Sequence, residues 1–378
     1  MTTALAAPLL DTYARTDVTF VEGNGSWLLD ASGERYLDLV AGIAVVGLGH
    51  RHPAPLAAAH AQLDKLWHTS NLWWTEPMAE LAAKLSDRFG GAQTFFCNSG
   101  AEAIEAAIKY ARKSTGRTKI VALENSFHGR TAGALAATGQ PAKRSSFEPL
   151  LPGVVFARAN DRASLAELVG DDTACILLEP IQGEGGIHPL HAAFVERARE
   201  LADLHGALLV FDEVQSGMGR TGTFFAWEQH DVKPDAVTLA KGLANGLPIG
   251  ALLVAEEAAG AFVPGDHGST FGGNPVACAA ASAVLETIDD TLLDDVARKG
   301  AWLAPALERL PGVVEVRGAG LLLGVEVDRV ASSAVAACLE RRLLVGTVGE
   351  RTLRLTPPLT ITDNELDAAL NILEEVLQ

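Results

Sequence analysis

Short apolar runs alternate with longer amphipathic segments through the middle of the chain. Between several of these runs the apolar residues recur at helical spacing, as over residues 101–113 and 192–206. Alternation of strands with helices predicts a mostly parallel sheet covered by helices on both faces. We therefore predict a large α/β domain over residues 50–262. The runs that predict its buried strands span residues 93–97, 119–123, 174–178, 207–211, 236–240 and 249–254.

The two ends of the chain predict a smaller α+β domain. Turn-forming residues at 31–34 separate two strand-like runs, which predicts a hairpin near the N-terminus. From about residue 275 onward, strand-like and helical patterns are mixed. We predict that residues 1–49 form the N-terminal segment of the smaller domain and residues 263–378 form its C-terminal segment.

Composition and charge restrict the function. The chain has 378 residues, which exceeds the size of one simple core, and its composition predicts a soluble globular protein. Its formal net charge of -17 disfavours binding to nucleic acid or to anionic lipid. The four cysteines are far apart, which predicts reduced thiols rather than disulfides or a zinc site. No apolar stretch is long enough to cross a membrane, and the N-terminus lacks the basic segment of a secretory signal, so we expect a cytoplasmic protein.

Polar residues that carry chemistry follow four of the predicted strands. They are Ser99, Glu179, Glu184, Asp212 and Lys241. Ligands of open α/β sheets bind beyond the carboxyl ends of the strands, so we expect these residues to meet in one crevice. Each one taken alone is also compatible with a loop on the surface.

The segment after the strand at 93–97 predicts an anion site. Ser99 and Glu102 have the spacing of a capping box at the start of a helix, and Gly100 allows close approach of a ligand to the backbone. Free N–H groups at a helix N-terminus bind phosphate well. The alternative is a plain helix cap without a ligand.

Asp212 and Lys241 predict the reacting groups. A carboxylate directly after a buried strand can pair with a protonated ring nitrogen, whereas the alternative is a residue that caps the next turn. Desolvation at the edge of a crevice lowers the pKa of a lysine and makes its amine nucleophilic. The alternative for Lys241 is a surface lysine with a buried stem.

Two further patterns suggest other chemistry. Residues 217–222 match GxGxxG, but no helical pattern follows them, which disfavours a dinucleotide site. His50, His52 and His128 lack acidic or cysteine partners at ligand spacing, so we predict turn and core roles and no metal.

Several motifs together resemble the class-III pyridoxal-phosphate-dependent aminotransferases. Their order matches that family from about residue 25 to residue 359. The resemblance implies a fold-type I structure, pyridoxal 5'-phosphate as cofactor, and a homodimer with shared active sites at the subunit interface. The closer match is to members that act on N2-acetyl-L-ornithine. The segments that carry the resemblance are NSGAEAIEAAIKYARK, SFHGR, EPIQGEGG, FDEVQSGMGRTG, LAKGLANGLPIG and HGSTFGGNP.

The resemblance implies a role for each matched residue around the cofactor ring. Lys241 matches the lysine that forms a Schiff base with the cofactor and later moves a proton. Asp212 matches the aspartate that keeps the ring nitrogen protonated. Gln215 matches the residue that hydrogen-bonds the phenolic oxygen, and Phe127 matches the aromatic residue that stacks on the ring.

Further matches imply phosphate and substrate contacts. The phosphate-binding turn corresponds to Ser99, Gly100 and Ala101, and Thr270 corresponds to a phosphate ligand contributed by the partner subunit. Ser269 and Arg130 correspond to positions that contact substrate.

Glu184 and Arg354 match a pair that sets specificity in the resembling enzymes. The arginine binds the α-carboxylate of 2-oxoglutarate, and the glutamate pairs with it during the other half-reaction. The terminal amine of N2-acetylornithine has no carboxylate beside it, so the pairing masks a charge that favours α-amino acids. The resemblance implies that Arg130 would hold the distant carboxylate of acetylornithine. The alternative is a purely structural ion pair.

The implied function is transamination of N2-acetyl-L-ornithine with 2-oxoglutarate in arginine biosynthesis, with ping-pong kinetics. Other substrates of the same class stay open, namely ornithine, succinyl-diaminopimelate and 4-aminobutyrate, as does an aminomutase. A nicotinamide-dependent dehydrogenase and a binding protein without catalysis are more distant alternatives. Trp73 and Trp74 stand where the family usually has tyrosine or phenylalanine, which affects the expected substrate entrance.

Overall fold

A computed structural model describes residues 7–378 of the chain. Residues 1–6 of the predicted N-terminal segment lie outside this range, and so does part of the stretch on which the expectation of no secretory signal rests. The strands are β1 (Phe20–Asn24), β2 (Trp27–Asp30), β3 (Arg35–Asp38), β4 (Ala92–Cys97), β5 (Lys119–Leu123), β6 (Val154–Ala157), β7 (Thr173–Leu178), β8 (Ile181–Gln182), β9 (His188–Pro189), β10 (Leu208–Asp212), β11 (Ala236–Leu239), β12 (Gly250–Ala255), β13 (Val313–Ala319), β14 (Leu322–Val327), β15 (Leu343–Leu344), β16 (Gly346–Val348) and β17 (Thr352–Leu355).

Twelve α-helices lie in the described residues, and the first of them, α1, is a single turn that contains residues with positive φ. They are α1 (Ala41–Ala44), α2 (Pro53–Leu63), α3 (Glu76–Phe89), α4 (Gly100–Thr115), α5 (Ala132–Ala137), α6 (Pro141–Arg144), α7 (Arg162–Leu168), α8 (Ala192–His205), α9 (Pro275–Thr287), α10 (Asp290–Glu308), α11 (Ala331–Glu340) and α12 (Asp363–Leu377).

A seven-stranded sheet forms the centre of the molecule, in the order β4-β12-β11-β10-β7-β5-β6. Only β12 runs antiparallel to its neighbours, so the prediction of a mostly parallel α/β sheet is confirmed. All six predicted runs form strands of this sheet, with ends that differ by at most one residue. The edge strand β6 was not predicted, because it is short and three of its four residues are only half-buried.

Helices cover both faces of this sheet. All six residues of β7 are buried, and from Cys175 onward successive side chains enter different cores. Ile176 and Leu178 pack in one core with Phe194 of α8, whereas Leu177 packs in the other with Ile104 of α4. Helices α4 and α8 therefore hold the sheet between them, as the alternating pattern predicts.

A second core is built from both ends of the chain. The sheet β13-β14-β17-β16 and helices α10, α11 and α12 contribute to it. Near the N-terminus, β2 and β3 form the hairpin that the turn at 31–34 predicts. Strand β1 pairs antiparallel with β2, and β3 pairs in parallel with β15. Helix α9 contributes Cys278 and Val284 to the core of the large sheet instead. The segment boundaries at residues 49 and 262 stay a prediction.

The structure also bears on the expectations about membrane-spanning segments and cysteines. Over residues 7–378, no helix combines the length and the apolar character that crossing a membrane requires. All four cysteines are buried and unpaired.

Candidate active site

The parallel strands bring their carboxyl ends to one edge of the sheet, where a cavity of about 400 Å³ opens. Its walls carry a carboxylate, an amine, an aromatic ring and a helix N-terminus, all from segments that follow strands. Nine of the predicted site residues line it, namely Ser99, Gly100, Ala101, Phe127, Arg130, Glu184, Asp212, Gln215 and Lys241. The convergence expected from their positions in the sequence is therefore present.

Helix α4 presents its N-terminus to the cavity. The Ser99 hydroxyl accepts a hydrogen bond from the N–H of Glu102, and the Glu102 carboxylate accepts one from the N–H of Asn98 at 2.8 Å. Gly100 and Ala101 follow at positions whose N–H groups have no acceptor within the helix. A Cβ on Gly100 would approach Val214 to 2.7 Å, so glycine is needed here to pack the helix end against the loop after β10.

A buried histidine holds Asp212, which the sequence did not reveal. His128 Nδ1 lies 2.7 Å from Asp212 Oδ2, and Oδ1 accepts hydrogen bonds from the N–H of Val214 and the hydroxyl of Thr238. Burial acts to lower the pKa of His128, but the hydrogen bond and the charges of Asp212 and Glu179 outweigh it and raise the pKa. The predicted core role of His128 therefore includes stabilising the carboxylate at the cavity floor.

Glu179 joins two segments of the cavity wall. Its two carboxylate oxygens accept hydrogen bonds from the N–H groups of Phe127 at 2.7 Å and Gly183 at 3.0 Å. Burial raises its pKa to about 7. This residue fixes the backbone that carries the aromatic ring relative to the loop that carries Glu184.

Lys241 follows β11 after one intervening residue, Ala240, and lines the cavity in an uncommon backbone conformation. Its φ is 39°, in the left-handed region that residues other than glycine seldom adopt. Desolvation lowers the pKa of its amine to about 8, although Glu184 and Asp212 attract the charged form. An amine that is partly neutral near physiological pH is nucleophilic.

Glu184 and Arg354 form an ion pair between residues 170 positions apart. Arg354 uses Nη1 for this contact, and its buried Nε finds no partner among residues 7–378. Burial acts to raise the pKa of Glu184, but attraction to Arg354 and Lys241 outweighs it and lowers the pKa. Gln215 Nε2 lies 3.4 Å from the same carboxylate. The guanidinium is thus held, yet it keeps free capacity for a carboxylate.

The profile of the family described as Aminotransferase class-III matches residues 11–377. This chain belongs to the class-III aminotransferases. It is 52% identical to the acetylornithine aminotransferase of Corynebacterium efficiens over 98% of this chain and 94% of that protein. It is 49% identical to the acetylornithine aminotransferase of Caldanaerobacter subterraneus subsp. tengcongensis over 98% of this chain and 97% of that protein.

Solved structures of the family superpose closely. The N-acetylornithine aminotransferase of Stenotrophomonas maltophilia K279a is similar with a TM-score of 0.84 and 37% identity, covering 97% of this chain and 96% of that one. The ornithine aminotransferase of Toxoplasma gondii is similar with a TM-score of 0.94 and 32% identity, covering 98% and 92%. The predicted fold-type I class is confirmed.

Class-III aminotransferases depend on pyridoxal phosphate, and the cavity of this aminotransferase fits that group. A helix N-terminus suited to a phosphate lies at the same cavity as a buried carboxylate and a lysine amine. Two polar atoms that belong to residues lining the cavity, Gln215 Oε1 and Ser216 Oγ, are buried without a hydrogen-bond partner among residues 7–378. Buried polar atoms in native proteins are rarely left unpaired, which favours a polar ligand at this place.

Ser269 and Thr270 lie outside the cavity of their own chain. The Ser269 hydroxyl accepts a hydrogen bond from Asn98 Nδ2 at 3.1 Å, next to the start of α4. Thr270 is exposed. Their assignments to substrate and to the partner's phosphate stay predictions.

The GxGxxG segment at 217–222 forms a loop with positive φ at Met218, Gly219 and Gly222 and leads into a short 3₁₀ turn. No α-helix follows it directly, so the dinucleotide fingerprint is incomplete. Because the chain belongs to the class-III aminotransferases, the alternative of a nicotinamide-dependent dehydrogenase is set aside. Each of the three histidines has another partner, since His50 pairs with Asp38, His52 caps α2 and His128 pairs with Asp212.

Proposed function

We propose that this aminotransferase moves the terminal amino group of N2-acetyl-L-ornithine to 2-oxoglutarate, with pyridoxal 5'-phosphate as cofactor. The products are N-acetyl-L-glutamate 5-semialdehyde and L-glutamate. The observation that carries the proposal is the Glu184–Arg354 pair beside Lys241, because it suits an enzyme with one substrate lacking a carboxylate at the reacting carbon. Acetylornithine aminotransferases at 49% and 52% identity over nearly the whole chain support the choice of substrate.

Lys241 is the group that we assign to covalent attachment and proton transfer. When bound, pyridoxal phosphate supplies a carbonyl carbon that amines attack and a ring that accepts electrons from the substrate carbon. Desolvation keeps a fraction of the Lys241 amine neutral, as both attack and proton removal require. Its position in the same cavity as Asp212 allows one lysine to serve both steps.

Asp212 and the residues that fix it would hold the protonated nitrogen of the cofactor ring. The carboxylate is fixed by His128 and by the N–H of Val214, so it keeps a proton on a ring nitrogen without moving. Phe127 lies in the same cavity, where its ring offers a flat apolar surface. Ser99, Gly100 and Ala101 offer the helix N-terminus to a phosphate.

Glu184 and Arg354 form what we term the carboxylate switch. With the pair closed, Arg354 is neutralised and the cavity accepts an amine without a neighbouring carboxylate. With the pair open, the guanidinium accepts the α-carboxylate of 2-oxoglutarate in a bidentate manner. Arg130, exposed at the cavity mouth, is placed to hold a carboxylate at the far end of the substrate.

The test of the reaction is a panel of ω-amines with 2-oxoglutarate as acceptor. We expect N2-acetylornithine to have the highest kcat/KM, parallel lines in initial-rate plots, and no turnover in Lys241→Ala. A requirement for 2-oxoglutarate distinguishes transamination from an aminomutase. Intersecting lines, or full turnover without a keto acid, would contradict the proposal.

Glu184→Ala tests the carboxylate switch. Exposing Arg354 should favour substrates with an α-carboxylate, so the ratio of kcat/KM for acetylornithine to that for glutamate should fall on the order of tenfold or more. Arg197→Ala removes one partner of an exposed ion pair on α8 and is the matched control. An unchanged substrate ratio in Glu184→Ala would rule the switch out.

Ornithine is the second candidate substrate, because an ornithine aminotransferase superposes with a TM-score of 0.94. Its identity of 32% is well below the 52% of the acetylornithine relative. The same panel separates the two, since a free α-amine on the best substrate identifies the ornithine type.

A homodimer with shared active sites completes the proposal. The segments at 67–74 and 269–274 form one surface, because Asn71 Nδ2 donates hydrogen bonds to the carbonyl oxygens of Ser269 and Gly272. This surface exposes 87% of Trp74 and 62% of Phe271, which is uncommon for such large apolar groups. Thr270 is exposed on this surface, as expected for a residue that contacts a partner subunit.

A further inference from the structure

A second cavity of about 550 Å³ lies behind Glu184, between helix α6 and the turn that joins β16 to β17. Glu184 lines both this cavity and the active cavity, so the residue lies at the boundary between them. Arg354 contacts it from one side only. The second cavity is therefore open to the carboxylate if the ion pair with Arg354 separates.

Lys143, on α6, lines the second cavity. Its ammonium lies 4.9 Å from the centre of the Phe127 ring and donates a hydrogen bond to Gln140 Oε1. The same carboxamide donates from Nε2 to the carbonyl oxygen of Glu184 at 3.1 Å. A single carboxamide thus separates the ammonium of Lys143 from the backbone of Glu184.

Lys143 has no fixed counterion. Among residues 7–378 no carboxylate lies within ion-pair distance of its ammonium. Burial lowers the pKa of Lys143, attraction to Glu184 opposes this, and Arg130 and Arg354 repel the charged form. A carboxylate that moves toward this half-buried ammonium would stabilise its charged form, which the two neighbouring arginines destabilise.

We propose that Lys143 is the alternative partner of Glu184, which holds the carboxylate in the second cavity while Arg354 binds the α-carboxylate of 2-oxoglutarate or glutamate. The inference rests on the carboxylate switch of the proposed function. It adds the place that the Glu184 carboxylate occupies when the switch is open. Opening the switch without such a partner would leave Glu184 half-buried and uncompensated, at a cost in free energy. Lys143 acts through Glu184, so it is a positioning residue.

The direction of the effect follows from this arrangement. Removing the Lys143 charge destabilises the open position and leaves the closed pair with Arg354 in place. The reaction with acetylornithine, which uses the closed position, should then be unaffected. The reaction with 2-oxoglutarate or glutamate should weaken, which is opposite to the change expected for Glu184→Ala.

Rapid-mixing measurement of the two half-reactions in the holoenzyme tests the proposal. In Lys143→Met we expect the apparent dissociation constants of 2-oxoglutarate and glutamate to rise about tenfold, because a charge-assisted contact is lost. Constants for acetylornithine should stay within about twofold, and Lys143→Arg should restore affinity for 2-oxoglutarate. Lys233→Met is the matched control, since Lys233 also lies over a phenylalanine ring, at 4.8 Å from Phe89, but lines neither the active cavity nor the second cavity.

The double variant Glu184→Ala with Lys143→Met separates the possible outcomes. If Lys143 acts through Glu184, its removal has no further effect once Glu184 is absent. Equal losses for acetylornithine and 2-oxoglutarate in Lys143→Met would overturn the inference, because they indicate direct substrate binding or structural damage. A normal Lys143→Met enzyme would also overturn it. If Glu184→Ala alone leaves the substrate ratio unchanged, the switch itself is wrong, whereas the panel of ω-amines tests the proposed reaction independently.

Discussion

Lys241 combines a backbone in the left-handed region with a desolvated amine, and both features come from its place at the end of β11. The strand fixes the preceding backbone, and the 3₁₀ turn at Lys241–Ala244 begins at once. A conformation of this kind persists only where surrounding structure stabilises it. The residue is therefore prepared for chemistry before any ligand binds.

The lowered pKa of Lys241 gives a prediction for the protein without cofactor. Labelling of Lys241 by an amine-reactive reagent, followed by mass spectrometry, should have a pH midpoint of about 8 rather than 10.5. In Glu184→Gln the midpoint should be lower, since a carboxylate that favours the ammonium has been removed. The denatured protein provides the reference for ordinary lysine. A folded-state midpoint near that reference would show that Lys241 is not desolvated.

At the scale of elements, the loop after β10 depends on a buried carboxylate beside the site. The Glu213 oxygens accept hydrogen bonds from the N–H groups of Ala226 and Trp227 at 2.7 and 2.8 Å. Burial raises the pKa of Glu213 to about 8. This side chain joins the two ends of the loop that carries Gln215. Its hydrogen-bond partners are backbone N–H groups, and none of them is a cation.

Glu213 should make stability depend on pH. Between about pH 4.5 and 8 the unfolded chain releases this proton and the folded chain keeps it, so the free energy of unfolding falls as pH rises. The slope from one such group is on the order of 1.4 kcal/mol per pH unit. Glutamine does not titrate, so the free energy of unfolding of Glu213→Gln should fall less than that of the wild type between pH 5.5 and pH 8. Urea unfolding at several pH values measures the difference, and a constant difference would contradict the assignment.

At the scale of the whole molecule, the two cores come together around the carboxylate switch. Glu184 lies on the loop after β8, next to the large sheet, whereas Arg354 lies on β17 in the smaller sheet. Arg220 joins the same two parts, because its buried guanidinium donates hydrogen bonds to the carbonyl oxygens of Leu321 and Pro357. The geometry of the switch therefore depends on how the two cores pack.

A shared active site predicts complementation between inactive variants. Lys241→Ala lacks the attacking amine in its own cavity, and Thr270→Ala should lack a phosphate contact in the partner's cavity. In a mixed dimer one site carries both defects and the other carries none, so a mixture that exchanges subunits should regain about a quarter of wild-type activity. Activity at limiting pyridoxal phosphate measures the recovery, and size-exclusion chromatography with light scattering checks the dimer. Absence of any recovery in exchanged dimers would place Thr270 outside the partner's site.

The sequence by itself determined six of the seven strands of the large sheet and the polar residues at their ends. Apolar runs identify buried strands, and parallel strands end at one edge, so Ser99, Asp212 and Lys241 could be placed in one crevice without a structure. The motif order also identified the family. The pairing of Glu184 with Arg354 came from the resemblance and from no local pattern.

Only the tertiary structure decided which distant side chains meet. His128 lies 84 positions from Asp212, and its contact depends on the order of strands β5, β7 and β10, which hydrophobic periodicity does not encode. Lys143 and Glu184 share a cavity because α6 folds back toward the loop after β8. Local patterns record how each segment buries its own apolar face, whereas contacts between segments depend on the packing of the whole chain.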